Sequence, residues 1–376
     1  MKKIGSVYIW CSLAAVILWI VPWILGIIGA KPTGTPFTLY SCVLHDFTYL
    51  DNEGGDIKFI DRKGEAHGDE VQPMFYASIL FGNGTMPDSL GGRAITREAI
   101  DYDRFTLMER PAYVNRKAPK AYLLMESVPL RMELQDPEYG MVFRKDGLHV
   151  YKMNGKEYDE GKSRDFTDRL SALGFQFPCD LVSGNPSHRK EYDEGYLLTD
   201  REGHLFHMKM VGGKADVQRL SCTDSLDIKY VTILENTNRT AIGYVVDKND
   251  KFYVVRSDNV LVPTEVKWDP AKESLLIVGD MFYHTVKVSD SEGERFYALR
   301  TGDYSLEDTM YRPLKEDDRH KVSGYLFPLR LTFTSSLDGY VRPRIESFSW
   351  IGLVVDLLVA GAAVLVVRSR KKTLSK

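Results

Sequence analysis

The sequence predicts a mainly β chain: β-propeller-like antiparallel sheets in an outer domain with short helical insertions, flanked by one transmembrane helix at each end. Three observations carry that expectation. Five strand-turn-strand patterns recur, in which β-branched and aromatic runs flank a polar turn rich in Asp, Gly and Asn. Four of the turns, near Asp146, Asp200, Asp247 and Asp290, are 54, 47 and 43 residues apart, close to the ~40–50 residues of a propeller blade. Finally, a long apolar run stands at each end of the chain.

The first of these runs, Ile4 to Ala30, carries no charge and exceeds the roughly 20 residues that cross a bilayer. It is also well beyond the ~7–15 residues of a cleaved signal's apolar region, so residues 1–30 are read as a transmembrane signal anchor. The second run, from Trp350 to Val367, ends at Arg368, Arg370, Lys371 and Lys372. This divides the chain into the anchor (1–30), an outer domain (31–347), a C-terminal transmembrane helix (348–368) and a basic tail (369–376). Lys2 and Lys3 outweigh Lys31 across the first run, and five basic residues after the second outweigh Arg342 and Arg344 before it. Basic flanks stay in the cytoplasm, so both termini are expected there and the main domain outside.

Within the outer domain the patterns are "IKFIDRKGEA" (57–66), "MVFRKDGLHVYKM" (141–153), "YLLTDREGHLFHMKMV" (196–211), "GYVVDKNDKFYVV" (243–255) and "TVKVSDSEGERFYAL" (285–299). Residues 228–266 read as four successive strands, the strand count of one blade. The 85 residues from Asp61 to Asp146 break the period. Helices are expected there over Met74–Phe81 and from about Thr96, and a third within "KSRDFTDRLSALGFQFP" (162–178), with Ser163 as N-cap and Phe166, Leu170 and Leu173 on one face. Cys42, Cys179 and Cys222 allow one disulfide and a spare thiol, or three reduced thiols.

"MPDSLGGRAIT", "KSRDFTDRLSALGFQFP" and "GNPSHRKEYDEGYLLTDREGHLFHMKMV", together with the two apolar runs, resemble an uncharacterised bacterial domain-of-unknown-function family of two-span membrane proteins with a β-rich periplasmic domain. The resemblance covers nearly the whole chain. It implies the bacterial inner membrane and a neighbourhood of membrane-transport components, and it supplies no catalytic residues.

A net charge of -3 gives no electrostatic case for nucleic acid as a partner. In "HLFHMKM" (204–210), read as a strand, His204, Phe206, Met208 and Met210 share one face while His207 and Lys209 take the other. His204, Met208 and Met210 form a candidate soft-metal set, set against the plainer reading of Met as core filler. "EYDEGYLLTD" (191–200), "SHRKEYDE" (187–194) and "KEDDRH" (315–320) read as solvated acids and local surface pairs. The sequence contains no G-x-S-x-G, H-E-x-x-H, Walker A or paired CxxC pattern. No cofactor is expected.

The most specific intramembrane feature is Asp356, inside the second apolar run. Gly352, Asp356, Ala360 and Ala363 fall on one helical face, and in the first run Ser12, Ala15, Trp19 and Gly26 share another with small neighbours. These stripes define a candidate packing seam. Asp356 would meet Trp19 or Ser12, a polar group of a second membrane protein, or serve a proton or ion role; an acid in lipid costs ~2.5–3.5 kcal/mol on insertion scales. The functional expectation is a membrane-anchored periplasmic binding or scaffold protein that has the lipid bilayer and an integral transporter component as partners. A periplasmic enzyme acting on envelope material, or a sensor, is the alternative.

Overall fold

In the computed structural model, residues 2–28, 35–51, 57–117, 120–128, 136–154, 157–185, 187, 189–220, 223–314 and 321–374 are described below. The chain forms two compact units. One comprises residues 1–35, 111–116 and 313–376, the other residues 36–110 and 117–312.

The first unit contains α1 (Lys2–Ile28), an apolar helix long enough over Gly5–Ile28 to cross a membrane. The larger unit is mainly β and begins with an antiparallel sheet of β1 (Thr38–Ser41), β2 (Asp46–Asp51), β3 (Lys58–Ile60) and β4 (Ala66–His67). An insertion follows, with α2 (Ala77–Asn83), a small hairpin of β5 (Ser89–Leu90) and β6 (Arg93–Ala94), α3 (Arg97–Asp103) and β7 (Phe105–Glu109). After α4 (Pro111–Val114), which belongs to the first unit, come three four-stranded sheets in simple chain order. The second sheet is β8 (Tyr122–Leu124), β9 (Tyr139–Arg144), β10 (Gly147–Lys152) and β11 (Glu157–Tyr158), followed by α5 (Glu160–Ala172). The third is β12 (Val182–Gly184), β13 (Tyr196–Thr199), β14 (Leu205–Val211) and β15 (Lys214–Arg219). The fourth is β16 (Ile228–Ile233), β17 (Ala241–Asp247), β18 (Lys251–Arg256) and β19 (Leu261–Lys267). In the fifth, β20 (Ser274–Gly279), β21 (Tyr283–Ser289), β22 (Gly293–Arg300) and β23 (Leu306–Pro313) are joined at one edge by β7.

All five expected hairpins form. Four Asp turns connect the second and third strands of successive sheets, which gives them their even spacing. Asp61 instead lies between β3 and β4, and the inserted helices follow it. Three of the turns share one physical device. Asp61, Asp200 and Asp247 each accept the backbone N–H groups two and four residues ahead on one carboxylate oxygen, at 2.8–2.9 Å. An Asp side chain that bonds its own turn in this way competes with continued strand pairing.

Burial explains the sequence pattern of the central strands. β17 is buried at every position, because Val245 packs toward the third sheet and Tyr244 and Val246 pack toward the fifth. A strand covered on both faces reads as a continuous apolar run. Apolar clusters join the second sheet to the third, the third to the fourth, the fourth to the fifth and the fifth to the first. Among the described residues, none of these clusters joins the first sheet to the second.

Three local expectations are adjusted. α2 begins three residues later than expected. α5 begins four residues earlier than the expected Ser163 cap implies, with Asp159 as N-cap accepting from the Lys162 amide at 2.9 Å; Ser163 lies inside the helix and bonds the Asp159 carbonyl. Phe166 and Leu170 are fully buried as expected. Cys42 and Cys179 are free thiols, and Cys222 lies outside the described residues.

The first unit also holds α6 (Lys321–Leu326), a hairpin of β24 (Leu329–Thr332) and β25 (Arg344–Phe348), and α7 (Trp350–Leu374). α7 carries the second apolar run, residues 350–367, of which Trp350–Ala362 falls among the residues whose side chains are described.

Candidate functional site

β14 is the hinge of the site, because its alternating side chains feed two different environments. Phe206, Met208 and Met210 point into the core shared with the second sheet, as the sequence alternation requires. His207 and Lys209 take the opposite face and line a small polar pocket of about 70 Å³ with Asp216, Gln218, Ser257 and Asn259.

Behind that pocket lies a buried charge cluster. Lys190 Nζ donates to Asp193 Oδ1 at 2.7 Å, to Glu235 Oε1 at 2.6 Å and to the Asn185 carbonyl at 2.6 Å. The three side chains are only 4–7% exposed. Asp193 Oδ2 also accepts from Ser127 Oγ at 2.7 Å, and Glu235 accepts from Asn185 Nδ2 at 2.7 Å and from the Glu194 amide at 2.8 Å. Glu194 then pairs with Lys209, and its carbonyl accepts from His207 Nε2 at 2.8 Å. Burial holds Glu235 above the ordinary carboxylate value despite these donors. Burial, reinforced by Lys209, holds His207 below the ordinary imidazole value. The surface-charge reading of 187–200 is therefore corrected: Lys190, Asp193, Glu194 and Asp200 are interior groups. Sequence alone missed this because the compensating partner, Glu235, comes from 45 residues away.

On the other face of β14, between the second and third sheets, a cavity of about 430 Å³ opens. Leu124, Met125 and Met210 form its buried apolar floor. Glu126 staples one wall, accepting from the Gly212 and Gly213 amides at 2.9 and 2.8 Å. Lys162 closes another: its Nζ donates to the Gly213 carbonyl at 2.8 Å, lies 3.7 Å from Met210 Sδ and sits 4.6 Å from the centre of the Tyr139 ring. The volume falls within the ~300–1,000 Å³ of small-molecule sites.

The sequence-predicted residues are dispersed. Met208 and Met210 are buried, while His204 Nδ1 lies 3.0 Å from Asp200 Oδ2. Asp200 also takes two further backbone bonds from its turn, and although burial opposes it, these hydrogen bonds hold its carboxyl below the usual range. One set of candidate ligands lies in the first sheet, where Asp61, Glu65 and His67 have ligand atoms within 4.8 Å of one another. In the first unit, Gly26 is buried, Trp19 packs edge-on against Phe333 at 4.8 Å, and Ser12 is exposed and Ala15 half-buried. Gly352 is buried, and a Cβ there would lie under 3 Å from the Phe327 and Gly324 backbone, so its close approach is to α6. Asp356 and Ala360 are exposed on α7, and the Ala363 side chain lies outside the described set.

Comparison with known proteins gives a family and little more. The model of the family described as Domain of unknown function (DUF4857) matches residues 37–299. No curated protein matches. A solved structure of PorZ, described as an essential bacterial surface component of the type-IX secretion system of Porphyromonas gingivalis, is 13% identical with a TM-score of 0.24. That match covers 76% of this chain, and the chain spans 28% of that one.

Proposed function

We propose that this chain, which belongs to the family described as Domain of unknown function (DUF4857), is a membrane-anchored binding protein whose β domain presents a ligand cavity beside β14. The observation that carries the reading is the cavity itself: about 430 Å³, with an apolar floor and a few fixed polar groups in its walls. Such a composition favours binding with orientation rather than loose adsorption. The apolar helix α1 supports attachment to a bilayer. In the fuller form of the proposal, α7 makes a second crossing, both termini are cytoplasmic and the β domain faces the periplasm. Its five sheets close into a ring in that reading, and the protein serves as an accessory to a transporter or another envelope complex.

The test is affinity purification of the full-length chain from solubilised membranes, followed by organic extraction and mass spectrometry of bound small molecules. A Val128→Trp variant is run beside it, because Val128 lies exposed at the cavity wall and a large side chain there fills the space. A small molecule recovered with the parent and lost in the variant is the expected result. Equal recovery from both samples, or none from either, refutes the cavity as the working site.

A further inference from the structure

The cavity's polar groups are not equivalent, and their inequality indicates the ligand. Glu126 is occupied: Oε1 accepts from the Val128 amide at 3.1 Å and the Gly212 amide at 2.9 Å, and Oε2 accepts from the Gly213 amide at 2.8 Å. A carboxylate holding three backbone N–H groups has its lone pairs committed to the protein. Asp136 and Glu138 are exposed and belong to the rim. Lys162 is different. An ammonium has three N–H donors, and among the described residues only the Gly213 carbonyl bonds it as a strong acceptor; its other partners there are a thioether and an aromatic face. Both are weak partners for a cation compared with an anionic oxygen. The cation is thus held in place beside the apolar floor of Leu124, Met125 and Met210 with capacity for a stronger acceptor.

Resting on the binding reading above, we propose that the cavity takes an extended apolar ligand that ends in a carboxylate, with the chain on the Leu124/Met125/Met210 floor and the carboxylate on Lys162 Nζ. The carboxylate replaces the Met210 sulfur contact and leaves the Gly213 bond intact. Tyr139 stays beneath the ammonium and keeps it from swinging to solvent.

The experiment uses the full-length chain in an amphipathic polymer free of detergent, with decanoate, decanol and decylamine as probes and native mass spectrometry as the readout. Decanoate is expected to bind one to one and at least tenfold more tightly than decanol or decylamine. Lys162→Met should lose at least tenfold in decanoate affinity while leaving decanol unchanged, which also shows that the variant's cavity is folded; Lys162→Arg should retain most of the affinity. Decylamine binding as tightly as decanoate, or decanoate binding indifferent to Lys162→Met, overturns the carboxylate assignment and leaves the cavity reading standing. If none of the probes binds in a manner that Val128→Trp abolishes, both the assignment and the cavity reading fail.

Discussion

Replacing Lys190 with Met tests whether the buried cluster is a closed electrostatic unit. Lys190 is the cation that Asp193 and Glu235 share, at 2.7 and 2.6 Å, in a site where all three side chains are under a tenth exposed. Met is close in length and apolar, so packing is nearly retained while two carboxylates lose their counter-charge. Removing one partner of a buried pair costs about 3–5 kcal/mol. At about 2 °C per kcal/mol for a unit of this size, the melting temperature of the β unit should fall by roughly 6–10 °C. Far-UV circular dichroism reads the transition, supported by the emission of Trp268, which is fully buried in this unit. The loss should depend on pH in a definite direction. Burial already raises Glu235 above its ordinary value of 4.5, and Lys190 is among the groups opposing that rise. Without Lys190 the folded state holds the Glu235 proton still more tightly than the unfolded chain does. The penalty is then absent below the ordinary value and grows as pH rises through the folded one. Lys190→Met should therefore lie closest to the parent near pH 5 and farthest from it near pH 8. Adding Asp193→Asn and Glu235→Gln should recover at least half of the loss at pH 8. A shift under 2 °C at pH 8, or a triple variant no better than the single one, would refute the account of a charge-balanced cluster.

Two further predictions concern the packed sheets. His284 is buried between Phe105 and Tyr304, and its Nε2 has no hydrogen-bond partner. Burial pushes its pKa from 6.5 down to about 4, so its protonation costs the fold nothing above pH 6.5 and stability is lost as pH falls from there toward 4. The loss amounts to about 3 kcal/mol at 1.36 kcal/mol per unit; His284→Leu should flatten this part of the curve of melting temperature against pH, and an unchanged acid limb would contradict the assignment. At Gly243, a Cβ would overlap the Thr232 carbonyl and the Leu197 side chain. Because the carbonyl belongs to the paired strand β16, Gly243→Ala should cost about 1–3 kcal/mol, read as a lower urea midpoint; a midpoint within error of the parent would show that the sheet yields there.

What the sequence made legible was local, and what it concealed was long-range. The hairpins could be read because each lies within some 15 residues, and in most of them an Asp binds its own turn, as Asp200 and Asp247 do. The two-faced character of 204–210 was equally plain, since strand alternation alone separates Met208 and Met210 from His207 and Lys209. The charge cluster could not be read in this way. "SHRKEYDEG" has the composition of a solvated loop, and Lys190 becomes interior only because Glu235, from the strand end of the next sheet, supplies a second carboxylate. The cavity was hidden for a similar reason: its walls come from 124–128, 136–139, Lys162 and 210–213, four segments with no shared motif. Of His204, Met208 and Met210, the two Met residues lie within β14, while His204 precedes Leu205, where β14 starts, and pairs with Asp200 of the turn.

The placement of both features on one strand has a mechanical consequence. β14 is paired with β13 over residues 205–208 and with β15 over residues 206–211, so the backbone of His207 is held on both sides and that of Lys209 and Met210 by the β15 ladder. A site supported on such an element keeps its geometry better than one carried on a loop. The Lys190 cluster extends that support to the segment before β13, since the loop residues Asn185, Lys190 and Glu194 all bond Glu235, and Asp193 joins them through Lys190. Buried ion pairs add little net stability compared with apolar packing. Their contribution here is positional: one carboxylate fixes three points of a loop whose length alone would allow many conformations, and Ser127, bonded to Asp193, carries the same constraint to the segment after β8 that includes the cavity wall residue Glu126. A substitution that loosens Glu235 should therefore weaken ligand retention in the cavity as well as lower stability, although Glu235 does not line it.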